Sequence, residues 1–158
     1  MGTGIHELME KIIRIEASSW DAGEFCRKNL PDSPYAPVIR NIFCTALAPD
    51  SEIFTMLCNV DPECEVWNER RFMVNVSGLG MVSGAFDRVV IRRDNGVPAA
   101  AEIFDWKSDD LASPEQFLCY GEQLRIYRRA LAQLLNLPEN SIRANICALK
   151  LKKIIFVA

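Results

Sequence analysis

Apolar residues recur at Ile5, Leu8, Ile12, Ile13 and Ile15 with Glu7, Glu10, Lys11 and Arg14 between them, the near-helical spacing of an amphipathic first helix. Thr3, between Gly2 and Gly4, is placed as its N-cap, with Glu7 just inside the first turn. A second, shorter helix is predicted over 19–30. Pro31, Pro34 and Pro37 interrupt the chain before a third at about 38–47, and Pro49 opens a fourth that ends near Cys58. From Cys64 the period changes to two. Val66, Phe72, Val74 and Val76 lie among Glu69, Arg70, Arg71 and Asn75, as in a long strand. The Ser77-Gly78-Leu79-Gly80 turn leads to a second strand over 81–92, and the hairpin signal Asp94-Asn95-Gly96 to a third over 99–106. Ser113 and Pro114 are read as the N-cap and first residue of a helix running to about Asn136. One or two strands over 142–158 close the chain. Helices, three consecutive strands, a long helix and further strands predict an α/β domain with a mixed sheet and helices packed on it.

A chain of 158 residues, 49% hydrophobic and 25% charged, is expected to form a single domain, with a helical part at about 1–60 and a sheet and long-helix core at about 61–158. That composition excludes disordered, collagen-like and coiled-coil classes. No apolar run approaches the ~18 residues of a membrane span, and the segment 1–10 lacks the cationic start of a secretory signal. A cytoplasmic site and no membrane partner are therefore expected. Six cysteines without a C-x-x-C pair do not make a zinc or redox framework and read as small buried hydrophobes. A net charge of −3 counts only weakly against nucleic acid, because phosphate contacts need no more than a local basic stripe.

The chemistry concentrates near Ile103-Phe104-Asp105-Trp106-Lys107-Ser108, where an apolar strand stops at a charged pair. Asp105 and Lys107 are two apart, so their side chains leave the strand on one face. A carboxylate and an ammonium emerging together suit a hydrolase that holds a divalent cation beside a nucleophilic water, and equally a solvated ion pair. Asp87 lies in an apolar run, where a carboxylate is costly unless it is paired or binds a metal. If its strand neighbours that of Asp105, the two can converge on one hard cation; otherwise it faces outward, paired to Arg88 or to a neighbouring strand. His6, the sole histidine, reads alone as a packing or capping residue, and Glu69 as a solvated charge. Gln123 and Tyr127, four apart, share a helix face with Tyr120 a turn back.

In order along the chain, these segments resemble the nuclease domain of the RecB/AddA type within the PD-(D/E)XK superfamily. Gly2-Thr3-Gly4-Ile5-His6-Glu7-Leu8-Met9-Glu10 is similar to the helix that carries a metal-binding histidine, and Gly84-Ala85-Phe86-Asp87-Arg88 to the G-x-x-D strand. Asp105-Trp106-Lys107-Ser108 resembles the D-(Y/W)-K-(S/T) motif. The segment from Tyr120 to Leu131 resembles the helix Y-x-x-Q-L-x-x-Y-x-x-A-L. The resemblance runs from about Gly2 to the last strands, and residues 17–59 carry no motif. It implies a restriction-endonuclease-like core and a magnesium-dependent DNA nuclease, with manganese able to substitute. Such a nuclease prefers single strands and is the module of a helicase-nuclease that processes double-strand breaks.

Carried over residue by residue, the resemblance implies that His6, Asp87, Asp105 and the Trp106 backbone carbonyl bind metal. Lys107 steadies or activates the attacking water, and Tyr120, Gln123, Tyr127 and Arg128 support the site or hold DNA. Glu69 matches the family's preceding acidic residue less closely, since Glu65 competes for that place. Arg125, Arg128 and Arg129 join Gln123 and Tyr127 within two turns as a basic stripe for phosphates, or as a solvated face. The chain begins five residues before His6 and has no Walker loop, so it reads as either an excised domain or a stand-alone relative, with any helicase motor expected in the parent protein or complex. The cysteine spacing lacks the signature of an iron-sulfur cluster, and none is expected. A second reading is a catalytically silent docking module that keeps the fold while the ligand residues stand idle.

Overall fold

The computed structural model describes residues 2–158, with side chains from residue 4 onward. Four helices come first: α1 (Gly2–Met9), α2 (Ala22–Asn29), α3 (Ala36–Ala46) and α4 (Glu52–Cys58). Strands β1 (Glu65–Val76), β2 (Gly80–Asp94) and β3 (Val97–Lys107) follow as an antiparallel meander. A 3-10 segment (Pro114–Tyr120) and helix α5 (Gly121–Leu135) then carry the chain to β4 (Ile142–Ala148), parallel to β3, and β5 (Lys153–Phe156) lies antiparallel on β4. The result is a five-stranded mixed sheet in the order β1-β2-β3-β4-β5. A parallel neighbour requires a crossover connection, and α5 supplies it.

Both faces of the sheet are covered. Phe104, Trp106, Cys147 and Leu149 point into one core with Ile5, Leu8, Met9, Ile39, Phe43, Ile53 and Leu57 of the N-terminal helices. Ile103, Ile146 and Ala148 point the other way, into a second core with Leu124, Ala130 and Leu131 of α5 and with Phe117. The strict alternation along β3 and β4 is the two-residue period of a strand, with apolar residues on both faces because both are buried. This α/β arrangement matches the restriction-endonuclease-like core that the sequence implied.

Several expectations are corrected in detail. The first helix ends at Met9, and Ile12 and Ile15 are buried from an irregular link rather than from a helix face. The cause is that the carbonyls of Glu10, Ile12 and Ile13 accept from side chains of β1 and β2 instead of from downstream amides. The long helix is two pieces. Pro114, buried Phe117 and Tyr120 recur every third residue and share one face only in a 3-10 turn, so α5 proper begins at Gly121. Ser113 makes no capping hydrogen bond, whereas the C-terminal stop is as expected, with Asn136 left-handed at φ 52. Of the cysteines, Cys26 and Cys147 are buried, but Cys119 is exposed. The helix already begins at Gly2, so Thr3, expected as its N-cap, lies within its first turn instead.

A forked sheet builds the candidate active site

β2 and β3 are paired from Asp94↔Val97 to Arg88↔Phe104, and no further. Beyond that point β2 stays with β1, while β3 stays with β4 as far as Lys107↔Ala148. The two strands fork, and the first residues past the last shared pair are Asp87 and Asp105. An amide released from a ladder inside the protein needs another acceptor. The Trp106 amide finds it in Asp87 Oδ2, at 2.8 Å. The fork is thus closed by a carboxylate, and both aspartates are buried, with 8% and 6% of their surface exposed.

The strand phase also breaks at this level. Phe86 and Val89 are three apart yet both enter the core against α5, although an unbroken strand would send them to opposite faces. In β1, Glu69 lies between the pairs Asn68↔Arg88 and Arg70↔Phe86 and has φ 47, a left-handed conformation rare in residues other than glycine. That local reversal turns the Glu69 carboxylate toward α1. There His6 Nδ1 lies 3.1 Å from Glu69 Oε1 and 3.4 Å from Asp87 Oδ1. One ligand atom from each of His6, Glu69 and Asp87 falls within 4.8 Å of the others.

The electrostatics are those of crowded anions. Hydrogen bonding to Asp87 raises the His6 imidazole to about 9 against the opposing effect of burial, and the charges of Asp87 and Glu69 add to the rise. Burial, then the Asp87 charge, raises the Glu69 carboxyl. The same two causes raise Asp105 to about 6, opposed by Lys107. Lys107 Nζ lies 2.7 Å from Asp105 Oδ2 but out of line for a hydrogen bond, so that buried oxygen keeps no directed donor. An imidazole and three carboxylates, one of them with an orphaned oxygen, form an oxygen-rich donor set that could hold a hard divalent cation with one nitrogen ligand.

The remaining expected residues divide. Lys107 Nζ sits 4.7 Å from the Tyr120 ring centroid, so Tyr120 borders the site. Tyr127 packs edge-on against Phe72 and Phe86, with its hydroxyl on Gly84, where a Cβ would collide with it. The G-x-x-D glycine is therefore a seat for the helix tyrosine. Gln123 Nε2 reaches the Tyr127 hydroxyl at 3.4 Å. Arg128 is not brought to the cluster: its guanidinium donates twice to the Glu139 carbonyl, and Arg129 donates to Ser77 O. Glu65 is taken by Arg93 and the Trp67 indole, so Glu69 is the β1 carboxylate at the site. The grouping of Glu69 rather than Asp105 with His6 and Asp87 was not visible in the spacing; its signal is a backbone reversal that sequence does not display. An open groove of about 590 Å³ leads from Glu69 along the hairpin, past Arg71, Met73, Ser83 and Ala85.

A lysine beside buried carboxylates and an imidazole, at the fork of a mixed sheet, is an arrangement that could hold a divalent cation next to a cationic side chain. The family model of the PD-(D/E)XK nuclease superfamily matches residues 1–155, and the chain belongs to that superfamily. No curated protein matches the chain. Among the described residues, no helix is long and apolar enough to cross a membrane.

Proposed function

We propose that the chain is a magnesium-dependent DNA nuclease of the RecB/AddA type, also active with manganese, that degrades single-stranded DNA as the module of a helicase-nuclease in double-strand break repair. The reading takes the chain as one cytoplasmic domain, helical at about 1–60 and sheet-based at about 61–158. Its main support is the convergence of His6, Glu69 and Asp87 at a fork that also holds Asp105 and Lys107. The RecB/AddA subtype rests on the order of the four motifs, and the strand preference and motor partner rest on that resemblance.

In this reading His6, Glu69, Asp87 and Asp105, with the Trp106 carbonyl, hold the cation. A divalent metal so bound supplies Lewis acidity and a water of lowered pKa. Asp87 keeps β3 in place through the Trp106 amide while offering its other oxygen to the cluster. Lys107, held between Asp105 and the Tyr120 ring, carries a positive charge to the phosphate oxygens where negative charge develops. Tyr127 and Gln123 brace the strand that presents Asp87.

The test is degradation of labelled single-stranded and duplex DNA in magnesium, in manganese and in EDTA by the wild type, Asp105→Ala and Lys107→Ala. We expect metal-dependent cleavage of single strands and a loss of about 100-fold or more in each variant. Both variants should keep the wild-type circular dichroism spectrum, because truncation at the fork relieves crowding instead of opening a core cavity. Undiminished cleavage by either variant refutes the mechanism.

A further inference from the structure

Arg88 is fully buried and, among the described residues, forms no salt bridge. Its guanidinium donates from Nη1 to Ile12 O (2.8 Å) and Asn68 Oδ1 (3.2 Å), and from Nη2 to Ile13 O (2.7 Å). Asn68, its register partner on β1, donates from Nδ2 to Glu10 O (2.8 Å) and Ile12 O (3.0 Å). All three carbonyls lie just past the end of α1, where the chain has no helical donors of its own. A cation at a helix C-terminus also opposes the negative end of the dipole. Desolvation is costly for a guanidinium, and burial lowers this one to about 10.

The placement of the pair relates this cost to the site. Asn68 immediately precedes Glu69, and Arg88 immediately follows Asp87. The same step of the β1–β2 ladder therefore presents two carboxylates and grips the end of the helix that carries His6. The Glu10 amide donates to His6 O at 2.8 Å, so the gripped segment is bonded directly to the His6 backbone. Leu8 and Met9 anchor the helix to the core by apolar contact, which resists separation but sets rotation and axial position less sharply than directed hydrogen bonds do.

We infer that Arg88 and Asn68 are positioning residues that fix the end of α1 to the β1–β2 ladder and so hold the His6 ring over Glu69 and Asp87. The metal consequence rests on the nuclease reading above; the positional one does not. Without the clamp, α1 keeps its core contacts while its last turn shifts, and the imidazole leaves the carboxylates. Arg88→Lys keeps the charge but replaces a two-carbonyl fork with a single point donor, and should act only partly.

The experiment has two readouts on the full chain. In metal-free protein, the single histidine gives unambiguous ring signals, and NOEs from its ring to the Asp87 β-protons and Glu69 γ-protons report its position. Manganese affinity is measured by calorimetry. Arg88→Met and Asn68→Ala should lose the NOEs and bind manganese roughly 10- to 100-fold more weakly, as loss of supporting contacts behind metal ligands generally does, with Arg88→Lys between them and the wild type. Leu131→Ala, which weakens the opposite core, should leave both readouts unchanged. If Arg88→Met fails to fold, Asn68→Ala and Arg88→Lys carry the test. NOEs and affinity retained within about twofold in the folded clamp variants overturn the inference. A wild type that takes up no manganese removes the metal reading alone, and the NOEs still decide whether the clamp places His6.

Discussion

The raised His6 value makes a quantitative prediction about the metal-free protein. The imidazole titrates near 6.5 in the unfolded chain and at about 9 in the fold, so the native state retains a proton that the unfolded state releases across that window. Its contribution to stability is complete below about pH 6.5 and is lost as pH rises through about 9. At 1.36 kcal/mol per pKa unit the ceiling is roughly 3 kcal/mol, reduced by screening at a ring that is 30% exposed. At about 2–4 °C per kcal/mol for a domain of this length, the midpoint should fall by up to roughly 10 °C between pH 6.5 and 9. Asp105 contributes with the same sign but between about 3.8 and 6, outside this window. Cys26 and Cys147, raised by burial, lower stability in the same direction near pH 9 and above. The measurement is therefore the difference between the wild type and His6→Ala, melted in EDTA at steps across this range. The wild type should lose its advantage as pH rises, and manganese, which needs the neutral ring, should restore more stability at pH 8.5 than at pH 6.5. Parallel curves for the two proteins in EDTA would refute the placement of His6 between the two carboxylates.

Two further outcomes follow from packing. Gly84→Ala drives a Cβ into the Tyr127 hydroxyl and should cost about 1–3 kcal/mol in urea unfolding, part of it recovered by adding Tyr127→Phe; additive effects of the two changes would count against the contact. Arg128→Ala frees the Glu139 carbonyl and should lower stability by about 1 kcal/mol while leaving oligonucleotide anisotropy titrations unchanged; a large loss of DNA affinity would return Arg128 to the nucleic-acid face.

Much of the fold was written in short-range signals. The change of period at Cys64, the glycine turns near residues 78 and 96, and the proline breaks of the first half each placed an element within a few residues. The missed features depended on distant partners. Nothing between Met9 and Ile15 announces a helix end, because the donors that end it, Asn68 and Arg88, lie more than fifty residues away. The helix after Ser113 likewise divides because Phe117 is held in the core and Tyr120 meets Lys107.

The site shows the same division between composition and geometry. An aspartate in an apolar strand and an aspartate two residues before a lysine were conspicuous because burying charge is costly, and both lie at the fork. Glu69 was not conspicuous: in a regular strand its neighbours Glu65, Arg70 and Arg71 make it one charge among several. What distinguishes it is the left-handed turn at φ 47, which breaks the alternation in β1 opposite the break in β2. Because both strands change phase at one level, their register on either side is preserved, with Asn68↔Arg88 and Arg70↔Phe86 in step. Consecutive residues can then reach one helix and the link that follows it, Asn68 and Arg88 to the backbone just past Met9, Glu69 and Asp87 to its histidine. An unbroken ladder would have sent one of these pairs to the opposite face, so the strained residue in β1 is the feature that lets a single step of the sheet both grip α1 and confront His6 with two carboxylates.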